Sequence, residues 1–199
     1  WEDAIKLSGA LPGPGHASPG LSSPVRAGKL AAQLQRDLQR LRTALARTLQ
    51  QDGTQAGDTD FAPYRQHYLA QQQAMADGVG PLRAQARAAV ALMSPAMHRL
   101  AALDEVMDTA LGSQERRLLA ALPALLEKHF TRLQQAHGQA HEATDTDTTS
   151  HNTGWLHTFR QDMQRMAQAE LELRLLPLQG LLDTLQTLPP PKQQAHRDT

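Results

Sequence analysis

Apolar residues recur at three- and four-residue steps along most of this chain, and the longest such run, Asp60 to Gly112, reads as two helices and a corner. Asp60 is a good N-cap, and Pro63 sits in a first turn that loses nothing by lacking an N–H. Phe61, Tyr64, Tyr68, Met75, Val79, Leu82, Ala86, Val90 and Met93 then fall on one stripe, with Arg65, Gln66, Gln72, Arg83 and Arg87 mostly off it. Gly78, Gly80 and Pro81 interrupt that stripe, which predicts a kink or short break near Asp77. Ser94 and Pro95 repeat the cap-then-proline signal. They open a helix whose expected buried stripe is Met97, Leu100, Leu103, Met107 and Leu111, with Gly112 ending it.

Either side of this run the same reading gives further elements. Residues 1–11, WEDAIKLSGAL, look like the end of a helix, with Trp1, Ala4, Ile5 and Leu11 on a shared face. Residues 12–24 are rich in Pro, Gly and Ser and read as a flexible linker. Ser23 and Pro24 introduce a helix to Gln51, with Leu30, Leu34, Leu38, Leu41, Leu45 and Leu49 forming a near-heptad seam. A loop, Asp52 to Thr59, leads into the central pair. Ser113 is expected to cap a further helix that buries Leu118, Leu122, Leu125, Leu126, Phe130 and Leu133, kinks at Pro123 and stops at Gly138. Residues 138–154 are acidic, Thr-rich and aperiodic, which predicts a disordered loop. A last helix runs from Trp155 to Leu188 with Phe159, Met163, Met166, Leu173, Leu176, Leu181 and Leu185 along its stripe, bent at Pro177 and Gly180. Residues 189–199 form a polar tail. The expected fold is all-α: an irregular bundle of four to five kinked helices over residues 25–188, with a flexible N-terminal linker and a disordered internal loop.

Composition supports helices and excludes several functions. Ala, Leu, Gln and Arg dominate, alternating runs of Val, Ile and Thr are absent, and the 20 Lys and Arg balance the 20 Asp and Glu. A net charge of zero gives no global field to attract nucleic acid or membrane, so either role would need a local patch. Basic residues are overwhelmingly Arg, in keeping with a GC-rich bacterial gene. The absence of cysteine rules out disulfides and thiol chemistry, and no apolar run approaches the roughly 18 residues of a membrane span. The chain opens on Trp1, so a helix or leader is expected upstream, and a missing signal peptide does not by itself argue for the cytoplasm.

One local patch exists. The helix over residues 25–51 carries Arg26, Lys29, Arg36, Arg40, Arg42 and Arg47 against the single acid Asp37. Arg36, Arg40 and Arg47 are its candidate partner-binding residues, for phosphates, acidic lipid or an acidic helix. The alternative is a solvated bundle face balanced by acids elsewhere, and the aromatic interleaving that favours single-stranded nucleic acid is missing.

Catalytic and metal chemistry find little footing. His137 and His141 have a helical four-residue spacing with Glu142 adjacent, but Gly138 intervenes and no third ligand is fixed, so no metal and no cofactor is expected. Asp162, Glu170 and Glu172 are expected to pair with Arg160, Arg165 and Arg174 along one helix. Ser23, Ser94 and Ser113 are explained by capping. His67, His98, His129 and His157 fall within helices without a convergent motif. The six methionines either fill the core or form an adaptable surface that grips a partner helix. No catalytic residue is identified.

Several segments, DFAPYRQHYLA, QQAM with GPLR, SPAMHRLAALDEVM, LPALLEKHF, WLHTFRQDM and AELELRLLPLQGLL, together with the opening WEDAIKLS, resemble the small bacterial family called domain of unknown function 3348. The resemblance covers most of the chain outside the linker, the internal loop and the tail. It implies a further segment before Trp1 and, since the family has no established activity, no transferable catalytic residue. Family members tend to be encoded beside membrane proteins of the proton-channel and peptidoglycan-binding type. That implies an accessory of an envelope complex, cytoplasmic or peripheral at the inner membrane. The function expected on these grounds is a non-enzymatic helical adaptor with a protein partner, and self-association is also open; the alternative is a nucleic-acid-associated regulator acting through helix 25–51.

Overall fold

The computed structural model describes residues 24–50, 60–143 and 154–187, and all the regular structure in them is helical. Five helices follow in order: α1 (Pro24–Gln50), α2 (Ala62–Ala91), α3 (Pro95–Leu119), α4 (Leu122–Ala143) and α5 (Gly154–Thr187). The described residues are all-α, and their helices pack in two compact units. Unit 1 takes the start of α1, the end of α2, most of α3 and the end of α5; unit 2 takes the rest, including all of α4. The expected helix end at residues 1–11, the linker, the loop 52–59 and the tail lie outside the described residues.

The core of unit 2 grows from the aromatic end of the α2 stripe. Phe61, Tyr64 and Tyr68 are buried, as are Phe130 of α4 and Phe159 of α5. Tyr64 meets Phe159 edge-on at 5.2 Å, and Phe130 meets Phe159 at 5.0 Å and Trp155 at 5.1 Å. Such offset geometries suit the ring quadrupoles. Unit 1 has an aliphatic core instead: Leu34 and Leu38 of α1, Val79, Leu82 and Val90 of α2, and Leu175, Leu178, Leu182 and Leu185 of α5.

Helix starts follow the expected chemistry where capping side chains are present. Asp60 Oδ1 accepts the Ala62 N–H at 3.2 Å, and Ser94 Oγ accepts the Met97 N–H at 3.2 Å. Each satisfies one of the orphan amides of a first turn.

Four expectations are corrected. First, of the kink or short break expected near Asp77, the break is absent: α2 runs as one helix past Gly78, Gly80 and Pro81. Pro81 and Asp77, whose carbonyl the proline leaves unbonded, both stand on the exposed side, where water can bond that carbonyl. Second, α3 does not end at Gly112, and Ser113 caps nothing: the helix continues to Leu119, with Gly112 buried inside it and Ser113 exposed. Third, Pro123 does not kink a long helix but stands second in α4, where its missing N–H is harmless, and a turn at Ala120 and Ala121 separates the two helices. Fourth, Gly138 does not stop α4, which reaches Ala143; a helical glycine costs only about 1 kcal/mol against alanine.

In α5 the buried stripe is Leu156, Phe159, Met163, Ala167, Glu170, Leu171, Leu175, Leu178 and Leu182, whereas Met166, Leu173 and Leu176 are exposed. The period passes through a small residue and a charged one, so choosing the largest apolar side chains shifts the stripe out of phase. Leu118 and Leu125 are likewise exposed, and Leu119 and Leu126 take their places inside.

Candidate interaction surface

The most informative surface lies on α3, in unit 1. Its face toward the core carries Ala101, Asp104, Asp108 and Gly112, while Leu100, Leu103, Met107 and Leu111 are 37%, 46%, 40% and 54% exposed. This reverses the expected orientation of the stripe. The reason stands on α2. Arg83 donates to Asp104 at 2.7 Å and to Asp108 at 2.8 Å, and Arg87 donates to the same two carboxylates at 2.8 and 2.7 Å. Both pairs have the four-residue spacing that stacks side chains on one helix face, so two arginines meet two aspartates across the helix pair. Burial pushes the Asp104 carboxyl up, but its hydrogen bonds to Arg83 and Arg87 and their charges outweigh that, holding it below the usual carboxylate value. Burial likewise lowers the Arg87 guanidinium, and hydrogen bonds to Asp108 and Asp104 more than restore it. With this lattice on the α2 side of α3, the leucine stripe lies outside the core. The matching spacing of Arg83/Arg87 and Asp104/Asp108 is the sequence signal that would have found it.

A second polar cluster lies inside unit 2. The Glu170 side chain is fully buried. Its Oε1 accepts Nε and Nη2 of Arg174 at 3.0 and 2.7 Å, and its Oε2 accepts the Tyr68 hydroxyl at 2.9 Å. Gln72 Nε2 reaches both oxygens, at 3.1 and 3.0 Å, and also donates to the Leu119 carbonyl at 2.9 Å. A buried carboxylate with every side satisfied this way holds one packing arrangement and does no chemistry by itself. Burial foremost, and then the charge and hydrogen bond of Glu170, push the Tyr68 hydroxyl far above the ordinary tyrosine range, so it stays a donor. The expected pairs Glu170–Arg174 and Asp162–Arg165 form, at 2.7 and 3.1 Å, whereas Glu172 pairs with Arg42 at 2.6 Å and Arg160 Nη2 donates to the Tyr64 hydroxyl at 3.2 Å.

The three candidate arginines of α1 are all exposed. Arg36 donates to Gln33 at 2.7 Å, Arg40 stands 3.6 Å from Asp37, and Arg47 has no hydrogen bond or ion pair among the described residues. Their spacing puts them on one side of α1, with no aromatic residue between them.

Among the described residues, no group of three or more His, Cys, Asp or Glu is placed to hold a metal. His129 is bonded to Asp162 at 2.9 Å and to Arg132 at 2.9 Å, and His67 to Gln71 at 2.8 Å, so each is tied into its own helix contacts. A cavity of about 180 Å³ in unit 2, lined by Ala46, Leu49, Gln50, Gln161, Gln164, Arg165 and Gln168, is smaller than the roughly 300 Å³ at which ligand pockets begin and holds no nucleophile. Among the described residues, no helix is long and apolar enough to cross a membrane.

Neither the curated proteins nor the solved structures contain a match to this chain. A family model does match, over residues 1–187, and the chain belongs to that family, the proteins of unknown function DUF3348.

Proposed function

We propose that this protein is a non-enzymatic helical adaptor that docks a partner through the outward face of α3. The observation that carries the reading is the orientation of that helix, with Asp104 turned in, Asp108 half-exposed at its edge, and Leu100, Leu103, Met107 and Leu111 turned out. Four large apolar side chains in a row on a surface helix mark a site for another apolar face. One flexible methionine among them suits a helix-in-groove or helix-on-helix contact. The family resemblance supplies a setting, an accessory of a bacterial envelope complex acting at the inner membrane. Purification of the full-length protein from its native host after mild crosslinking, with mass spectrometry of membrane and soluble fractions, tests this. Repeated recovery of specific envelope proteins supports the adaptor, and recovery of nothing beyond the bait sinks it.

The exposure of Arg36, Arg40 and Arg47 favours the second reading, a nucleic-acid-associated regulator. That reading requires binding that weakens steeply with salt, because affinity would come from released counterions. Nuclease-sensitive material in the same purification would move the weight to it.

A further inference from the structure

The turn that joins α3 to α4, in unit 2, is built against the usual chemistry of a turn. Solvent-facing turns draw on Gly, Asn, Asp and Ser, which tolerate the backbone angles and bond nearby amides. Here the connection is Ala120 and Ala121, both exposed, inside a stretch that holds no polar side chain, LLAALPALL over residues 118–126. Leu119 and Leu126 are buried, but Leu118 and Leu125 are 62% and 52% exposed, and Ala124 is exposed beside Leu125. Leu118 is the most exposed large apolar residue among those described. The backbone of the corner is well tied. The Ala120 N–H donates to the Arg116 carbonyl at 2.9 Å, the Ala121 N–H donates to the Leu118 carbonyl at 3.1 Å, and Gln72 holds the Leu119 carbonyl. Two leucines are thus displayed by a fixed frame that gains no burial from them.

Cations surround this apolar tip. Arg116 and Arg117 lie in the last turn of α3, and Lys128 follows Leu125 by three residues, on the same face of α4. All three are exposed and have no hydrogen bond or ion pair among the described residues. Glu115 and Glu127 are the acids beside them, and Arg132 adds a further exposed cation on the Leu125 face, so the corner is positive in a chain that is neutral overall. The dipole at the end of α3 accounts for Arg116 and Arg117, but not for Lys128 or the leucines.

An apolar tip inside a basic collar fits the headgroup boundary of an anionic bilayer. Leucines enter among the acyl chains, while the stems of arginine and lysine lie along them and keep their charges at the phosphates. A bilayer asks for no matching shape, so a projecting corner can use it. Nine apolar residues are too few to span the hydrocarbon, which makes such a contact peripheral.

We propose that the α3–α4 corner is a peripheral membrane contact, inserting Leu118 and Leu125 into a bilayer with anionic headgroups and setting Arg116, Arg117 and Lys128 on the phosphates. The inference does not rest on the adaptor reading, whose face on α3 belongs to unit 1.

Cosedimentation of the full chain with vesicles of phosphatidylglycerol and phosphatidylcholine, against vesicles of phosphatidylcholine alone, tests the contact. The parent should partition to the anionic vesicles and be released as salt rises. Arg117→Gln with Lys128→Gln should weaken that partition about fivefold per charge. Leu118→Gln with Leu125→Gln should weaken it about tenfold or more, with helical circular dichroism unchanged. Because the chain lacks cysteine, Leu125→Cys can carry an environment-sensitive fluorophore at that site alone. Its emission should shift to the blue on vesicles and be quenched by spin labels in the acyl chains. No partition to anionic vesicles, equal partition to neutral ones, or a label that stays in water on the bound protein overturns the proposal. So does a parent that ignores vesicles and crosslinks to a protein through this corner.

Discussion

The Gln72 side-chain amide donates at 2.9 Å to the carbonyl of Leu119, the last residue of α3, where a helix end leaves its carbonyls without an intrahelical donor. The same nitrogen bonds Glu170, so the end of α3 and the buried carboxylate of α5 depend on one residue of α2. Gln72→Leu should therefore destabilise the protein by about 1–3 kcal/mol, the cost of orphaning a shielded polar group. Urea denaturation of the variant against the parent would measure it.

Glu170 itself is the most exacting position in unit 2. Glu170→Ala leaves Arg174, Tyr68 and Gln72 without their common acceptor and should cost about 3–5 kcal/mol. Glu170→Gln keeps the shape and some of the bonds and should cost less. Thermal unfolding of the two variants against the parent would show that order.

The lattice of Arg83, Arg87, Asp104 and Asp108 makes stability depend on pH. Burial raises the Asp104 carboxyl, but the two arginines lower it further, so its folded value lies below that of the unfolded chain, about 3.9. Such a group contributes its full stability above the unfolded value and loses it as pH falls through the folded one. Denaturation midpoints should drop between about pH 5 and pH 2. Asp104→Asn should be less stable at pH 7 and flatter across that window.

Exposed and buried apolar residues should separate sharply. Leu103→Glu with Met107→Glu should change stability by no more than about 0.5 kcal/mol per site, as surface substitutions do. Leu175→Ala, in the core of unit 1, should cost about 2–5 kcal/mol. Arg36→Gln, Arg40→Gln and Arg47→Gln together should leave folding intact, and loss of the circular dichroism signal of helix would refute their assignment to a solvent face.

How far the fold was legible depended on whether large apolar side chains alone set the phase of a helix. In α2 they did: Phe61, Tyr64, Tyr68, Met75, Val79, Leu82, Ala86 and Val90 are all buried, as their spacing predicts. The seam of α1 is similar, with Leu34, Leu38, Leu45 and Leu49 inside. In α5 the phase is carried by Ala167 and Glu170, which hydrophobicity ranks low, and Leu173 and Leu176 misdirect the reading. In α3 the apolar stripe is legible in the spacing but its side is not, because four charged residues on two helices satisfy one another across the helix pair. Complementary spacing on separate helices decides that orientation, and a reading of each helix by itself does not contain it. The candidate arginines of α1 were legible as a basic face but carry no geometry that selects a ligand.

The role proposed for α3 is to dock a partner through its outward face. The most direct test is crosslinking mass spectrometry on the full chain in its native host, comparing the parent with the Leu103→Glu, Met107→Glu variant and mapping every crosslinked peptide. The same partner protein should crosslink reproducibly to residues along α3 and be lost from the variant while folding is retained. A partner that attaches elsewhere and is retained by the variant would contradict it.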